Sequence, residues 1–315
     1  MFKMLCFLLF ITGAVNAQDI TINWVNKNAY PLQADSSSSN YHDLRFLSKV
    51  LKDKSIIGLG EASHGTQEFY YQKRRIVEYL IQEAGYKMVA LESPSTTIEP
   101  INQFLQDGTG DMKVMLKAMG LYNSEEMYKL CLWIMTYNKN KSDKDKVKLI
   151  GYDSEEYWGN PFTRDKLMAE SLIKARTVQN CKTIVWAHNL HIAKDTTMAE
   201  FKAMGYYLKK EFGINFYAIG FDTYKGSVNV LNNGELEKHY FKGNEDTFSS
   251  LFAKAIYPSF FIDFTTQGNP FINTVNKITN IYSNWKEPNP LPIRPGYDFE
   301  GLIFVKETSA SIGIK

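Results

Sequence analysis

The stretch Ile56-Ile57-Gly58-Leu59-Gly60-Glu61-Ala62-Ser63-His64-Gly65-Thr66 constrains the fold more than any other part of the chain. An uncharged, β-branched run leads into a glycine-softened turn that carries a Glu and a His. A helix follows from about Thr66 to Ala84, with Phe69, Ile76, Leu80 and Ala84 on one stripe, Val77 and Ile81 beside it, and Gly85 as its stop signal. A strand without charge is one covered on both faces. Strand, polar turn and helix form the repeat of an open α/β sheet, in which ligands bind beyond the carboxyl ends of the strands.

The alternation continues along the chain. Strands are predicted at 87–91, 147–151, 182–187, 216–220, 260–264 and 301–305, with a further apolar run at 228–231. Residues 18–42 read as a polar lead around Trp24, followed by a short amphipathic helix over 43–51. Helices are predicted from about Thr163 and over 247–256. Thr197-Met198-Ala199-Glu200 has capping-box spacing and predicts a helix start, with Phe201, Met204, Leu208 and Phe212 inside it. Residues 96–140 carry helical signal only, with Ser124 as a cap. They read as a helical insertion over the strand C-terminal ends. The fold class is therefore α/β: a mostly parallel central sheet flanked by helices and finished by antiparallel strands.

Composition narrows the function. A formal net charge of +2, with no compact Lys/Arg stripe, gives no basis for a nucleic-acid partner. Residues 1–17 have the layout of a signal peptide: Lys3, an apolar core from Met4 to Ile11, and Val15-Asn16-Ala17 before the cleavage point. Residues 18–315 then form one exported domain, secreted or periplasmic, with no membrane segment after cleavage. Cys131 and Cys181 remain, too few for a disulfide framework.

Four consecutive strands end in ionisable groups: Glu61 with His64, then Glu92, then Asp153, then His188 with His191. Parallel strands bring these ends to one crevice. Any one of them has an ordinary structural use, since a carboxylate suits a helix N-terminus and a lone His suits a turn. Their succession, in a chain with five His, points to chemistry. Lys73 lies on the apolar stripe of its own helix, where a cation needs a carboxylate or a polar cleft. Arg74 and Arg75 fall on flank and surface by the same spacing, and either is the inward residue if the helix starts one position later; Arg74 joins Lys73, His191 and Asp153 as a candidate substrate contact.

Other schemes lack their parts. Gly60 to Gly65 is not a G-x-S-x-G elbow, Ser63 stands where a third dinucleotide glycine belongs, and no Walker Lys or Cys pair with zinc spacing is present. What remains is a His base with carboxylates and a cation, a set suited to activating water.

Gly58-Leu59-Gly60-Glu61-Ala62-Ser63-His64-Gly65-Thr66-Gln67-Glu68-Phe69, Leu91-Glu92-Ser93 and Trp186-Ala187-His188-Asn189-Leu190-His191-Ile192 resemble the erythromycin esterase family. So does Phe299-Glu300-Gly301-Leu302-Ile303-Phe304, with Glu300 where Asp is usual. The resemblance spans about residues 45–305. It implies hydrolysis of an ester or macrolide-type lactone by water, with no metal or other cofactor and a small molecule as the partner. His64 resembles the general base, Glu61 and Glu92 the acids that orient it and the water, and Lys73 the family's basic residue. His188 and His191 match a second pair that binds the carbonyl or its oxyanion. The insertion is shorter than in macrolide-cleaving members. Two alternatives stand beside this reading. One is a metal-dependent hydrolase using Glu61, His64, Glu92, His188 and His191. The other is a non-catalytic envelope protein that binds a ligand with crevice aromatics.

Overall fold

The computed structural model describes residues 17–33 and 40–314. Apart from Ala17, the expected leader lies outside the described residues. The strands are β1 (Tyr30–Pro31), β2 (Ile56–Leu59), β3 (Met88–Pro94), β4 (Lys148–Asp153), β5 (Thr183–Trp186), β6 (Phe216–Asn232), β7 (Glu235–Lys242), β8 (Ser259–Asp263), β9 (Asn276–Ile278), β10 (Leu291–Ile293) and β11 (Gly301–Thr308). The main sheet has the order β1-β8-β11-β6-β2-β5-β3-β4. Every pairing from β11 to β4 is parallel. Antiparallel pairings of β8 with β11 and β1 with β8 finish one edge, so the expected mostly parallel sheet is present.

Alternation along the strands explains why the sheet is buried on both sides. Ile57, Leu59, Val89, Leu91, Ile184 and Trp186 point into one core. Ile56, Ala90, Val185, Ala187, Phe216 and Ala218 point into the other. The helix Gln67–Ala84 packs on the first face and ends at Gly85, whose φ of 71° suits a residue without a Cβ. The insertion joins it there as helices Ser95–Asp107, Met112–Lys117 and Glu125–Asn138. Ser124 caps the last of these by accepting the Met127 N–H. Helices Pro161–Gln179 and Met204–Phe212 cover the second face.

Three local expectations are corrected. Residues 18–28 are not a polar lead but part of the helix Ala17–Asn28, whose Val25 is buried in the second core. The helix expected at Thr197 begins at Met204 instead. Asp165, from a different helix, accepts the Met204 N–H at 2.7 Å, so a tertiary contact supplies the cap. The apolar runs at 216–220 and 228–231 are one strand, β6, which leaves the sheet and forms a hairpin with β7.

Candidate active site

The turn after β2 is shaped by close backbone approach. A Cβ on Gly60 would lie 2.2 Å from Asn189 Oδ1, and one on Gly65 would lie 1.8 Å from the Asn229 carbonyl oxygen. The turn therefore sits hard against β6 and the segment after β5. Glu61, fully buried, is its centre. One carboxylate oxygen lies 2.6 Å from His64 Nδ1. The other accepts from Lys73 Nζ at 2.6 Å and from Trp186 Nε1 at 3.2 Å. Lys73 is buried and also donates to the Ala187 carbonyl. Burial pushes its ammonium down to about 8, against the opposing pull of Glu61 and Glu92.

A second ionic cluster lies beside the first. Glu92, at the end of β3, accepts from Arg164 Nη2 at 3.0 Å and from the His188 backbone N–H at 3.0 Å. His191 Nε2 lies 3.2 Å from the same carboxylate, and its Nδ1 lies 2.8 Å from Asp165. Burial disfavours the charge on His191, but Glu92 and Asp165 outweigh it and raise the imidazole to about 10. Burial likewise opposes the charge on Glu92. His191 and Arg164 overcome it and hold the carboxyl well below the usual carboxylate range. Arg164 also pairs with Asp153 at 2.8 Å, and Trp158 Nε1 donates to that Asp.

His188 differs from its neighbour. Burial is the main cause that holds its imidazole well below the usual range. The ring is therefore neutral. Its Nδ1 accepts the Leu190 N–H, which puts the ring proton on Nε2. That Nε2 is buried without a hydrogen-bond partner. The His64 and His188 ring centroids are 5.2 Å apart.

Two adjoining hollows of about 300 and 360 Å³ open here and share His64, Glu92, Arg164 and Ser283 in their walls. Asp153, Tyr122 and Trp158 line the first, and His188, His191, Leu190 and Phe201 the second. The strand-end residues thus converge. Arg74 does not join them: its guanidinium is spent on Glu78 and Glu126. Lys73 reaches the cluster only from beneath, through Glu61, and both His191 nitrogens are already engaged. Arg75, read as flank or surface unless the helix starts a residue later, is buried against Asp43, and the helix does start at Gln67. Arg164, Asp165 and Tyr122 escaped the sequence reading. Asn160-Pro161, a cap followed by a first-turn proline, is the signal that places Arg164 near the strand ends. Among the described residues, no three His, Cys, Asp or Glu side chains are grouped to hold a metal ion. No helix among them is long and apolar enough to cross a membrane.

A family model described as erythromycin esterase matches residues 81–162 and 154–308. The chain is 36% identical over 134 residues to the putative hydrolase YbfO of Bacillus subtilis, covering 42% of this chain and 28% of that protein. It is 27% identical over 130 residues to erythromycin esterase type II of Escherichia coli, covering 41% of this chain and 30% of that protein. The matched stretch therefore spans less than a third of either curated relative. Solved structures share the fold. A succinoglycan biosynthesis protein superposes with a TM-score of 0.84 at 21% identity, covering 95% of this chain and 99% of that one. A Bacillus cereus protein gives 0.79 at 22%, covering 95% and 100%. An erythromycin esterase EreC mutant in its open conformation gives 0.67 at 12%, covering 91% and 98%.

Proposed function

From its membership of the erythromycin esterase family, to which this chain belongs, we propose that it hydrolyses a carboxylic ester or lactone with water activated by His64. The observation that carries the proposal is the 2.6 Å contact of His64 Nδ1 with buried Glu61, with a neutral His188 beside it whose Nε2 has no hydrogen-bond partner. Glu61 accepts a hydrogen bond from the His64 Nδ1–H, which keeps the ring proton there and leaves Nε2 as a lone pair for the crevice. That nitrogen takes a proton from water while the water oxygen bonds to the carbonyl carbon. The C=O pair moves onto oxygen and meets the His188 Nε2–H. When the C–O bond to the alcohol breaks, His64 returns its proton to the leaving alkoxide.

The remaining charges position these groups. Lys73 balances Glu61 from below. Glu92 holds the His188 backbone and is itself held by Arg164 and His191. Asp153 anchors Arg164 and Trp158 at the mouth, where the substrate makes its contacts. In this reading Lys73 and His191 act on substrate only through the carboxylates they hold. The signal-peptide layout expected over residues 1–17 makes an exported enzyme part of the proposal, secreted or periplasmic, with a small-molecule ester or lactone as its partner.

The test is His64→Asn, with unfolding midpoints matched to the parent, on a panel of p-nitrophenyl esters and lactones that includes macrolides. Loss of a general base lowers kcat roughly 100- to 10,000-fold. Undiminished turnover by the variant would refute the mechanism.

A further inference from the structure

The insertion places one residue in the crevice whose polar atom has no structural use. Tyr122 closes the turn Gly120–Tyr122 and is 5% exposed. Its ring stands edge-on to His64, with centroids 5.8 Å apart and an interplanar angle of 78°. It also packs against Tyr70 and Trp186. Its hydroxyl is buried and has no hydrogen-bond partner. Neighbouring phenols that serve the core do find backbone acceptors: Tyr70 donates to the Leu121 carbonyl at 2.9 Å, and Tyr152 to that of Trp186 at 3.0 Å. An unpaired buried hydroxyl costs about 1–3 kcal/mol, and Phe would fill the same space without it. Such a group calls for a use that the packing of the fold does not supply.

Position supplies that use. The rings of Tyr122 and His188 both neighbour that of His64, with centroids 5.8 and 5.2 Å away, and each carries a buried polar atom without a hydrogen-bond partner, the Tyr122 hydroxyl and His188 Nε2. Resting on the reading of His64 as the base, we infer that the Tyr122 hydroxyl is the second donor of an oxyanion pocket, paired with His188 Nε2–H. As the C=O pair moves onto oxygen, the two donors hydrogen-bond to it. Neither gives up its proton, and the pair returns when the C–O bond to the alcohol breaks. Both donor atoms are shielded from bulk water, where a hydrogen bond to developing charge is strongest. Burial, then the Glu61 and Glu92 carboxylates, push the phenol well above its usual range, so it stays a donor.

The experiment compares the parent, Tyr122→Phe and His64→Asn. Turnover of p-nitrophenyl acetate and butyrate is measured with the unfolding midpoint, and binding of phenylphosphonate, a tetrahedral anion, by calorimetry. Tyr122→Phe is expected to lower kcat roughly 100-fold with KM within about twofold, and to weaken phenylphosphonate about tenfold. Its unfolding midpoint stays level or rises, because the lost hydroxyl was unpaired. A packing role predicts the opposite shift, so a fall in midpoint alongside kcat overturns the inference. So does parental kcat in Tyr122→Phe when His64→Asn is inactive. If neither ester is turned over, equal phenylphosphonate affinity in parent and Tyr122→Phe overturns it. Full activity in His64→Asn is a separate failure, that of the base itself.

Discussion

His191 bridges Glu92 and Asp165 as a cation, and replacing it with Gln gives a stability difference that depends on pH in a calculable way. The imidazole is raised from 6.5 to about 10 in the folded protein, and the side chain is 12% exposed. At 1.36 kcal/mol per unit, the shift corresponds to about 5 kcal/mol. The folded value lies above the unfolded one. The contribution is therefore complete below pH 6.5 and is lost as pH climbs towards 10. Gln keeps a hydrogen bond but no charge, so the stability gap between parent and His191→Gln should be widest at pH 6.5. It should shrink by several kcal/mol by pH 10. Lys73 and Lys194, lowered by burial to about 8 and 7, act the other way. Each gains stability for the fold as pH rises towards 10.5, which masks the effect in the parent's own curve. The difference between the two proteins removes them. Urea unfolding at pH 6.5, 8 and 9.5 measures the gap. A gap that stays constant across that range refutes the claim that His191 carries the charge holding Glu92 ionised.

Two further changes probe the turn after β2. Glu61→Gln places an amide against His64 Nδ1 and lets the ring proton move to Nε2, and triads that lose their acid in this way drop roughly 10,000-fold in kcat. Steady-state kinetics check this, and parental kcat would dismiss Glu61 as the orienting group. Gly65→Ala brings a Cβ to 1.8 Å from the Asn229 carbonyl oxygen, so β6 must shift away. Overpacking of this kind costs about 1–3 kcal/mol, read as a lower midpoint in urea unfolding, and an unchanged midpoint would contradict it.

Some of this arrangement is written locally and some is not. The ends of β2, β3, β4 and β5 are legible because each combines an apolar run with a polar turn, and the parallel rule aligns them without further information. The Lys73 reading follows from helix periodicity alone, and Glu61 is the carboxylate it required. Arg75 turns inward, the alternative the spacing left open for a helix starting one residue later, and periodicity could not decide it because it reports one buried face. Gln33, Asn40 and Asp43 meet a second face of the same helix, and all three reach Arg75 from there. The false capping box at Thr197 has the same origin. Its spacing is correct, but Asp165 offers the Met204 N–H a better acceptor from another helix. The strand β6 was broken in two because its partners change along its length, from β2 to β11 to β7, and each partner asks for a different pattern of polarity.

The division of labour among the histidines shows most clearly why the site needed coordinates. In sequence His64, His188 and His191 are three equivalent imidazoles. In the fold, Glu61, Glu92, Asp153 and Asp165 each face a cation, and His191 is one of those cations, with both nitrogens taken. His188 has Nδ1 occupied by a backbone N–H and so offers a proton at Nε2. His64 has Nδ1 occupied by a carboxylate and so offers a lone pair at Nε2. The same ring becomes a fixed charge, a donor or an acceptor according to what meets its other nitrogen. An acceptor and a donor 5.2 Å apart by ring centroid, inside a frame of balanced charge, are what the addition of water to a carbonyl requires of a protein.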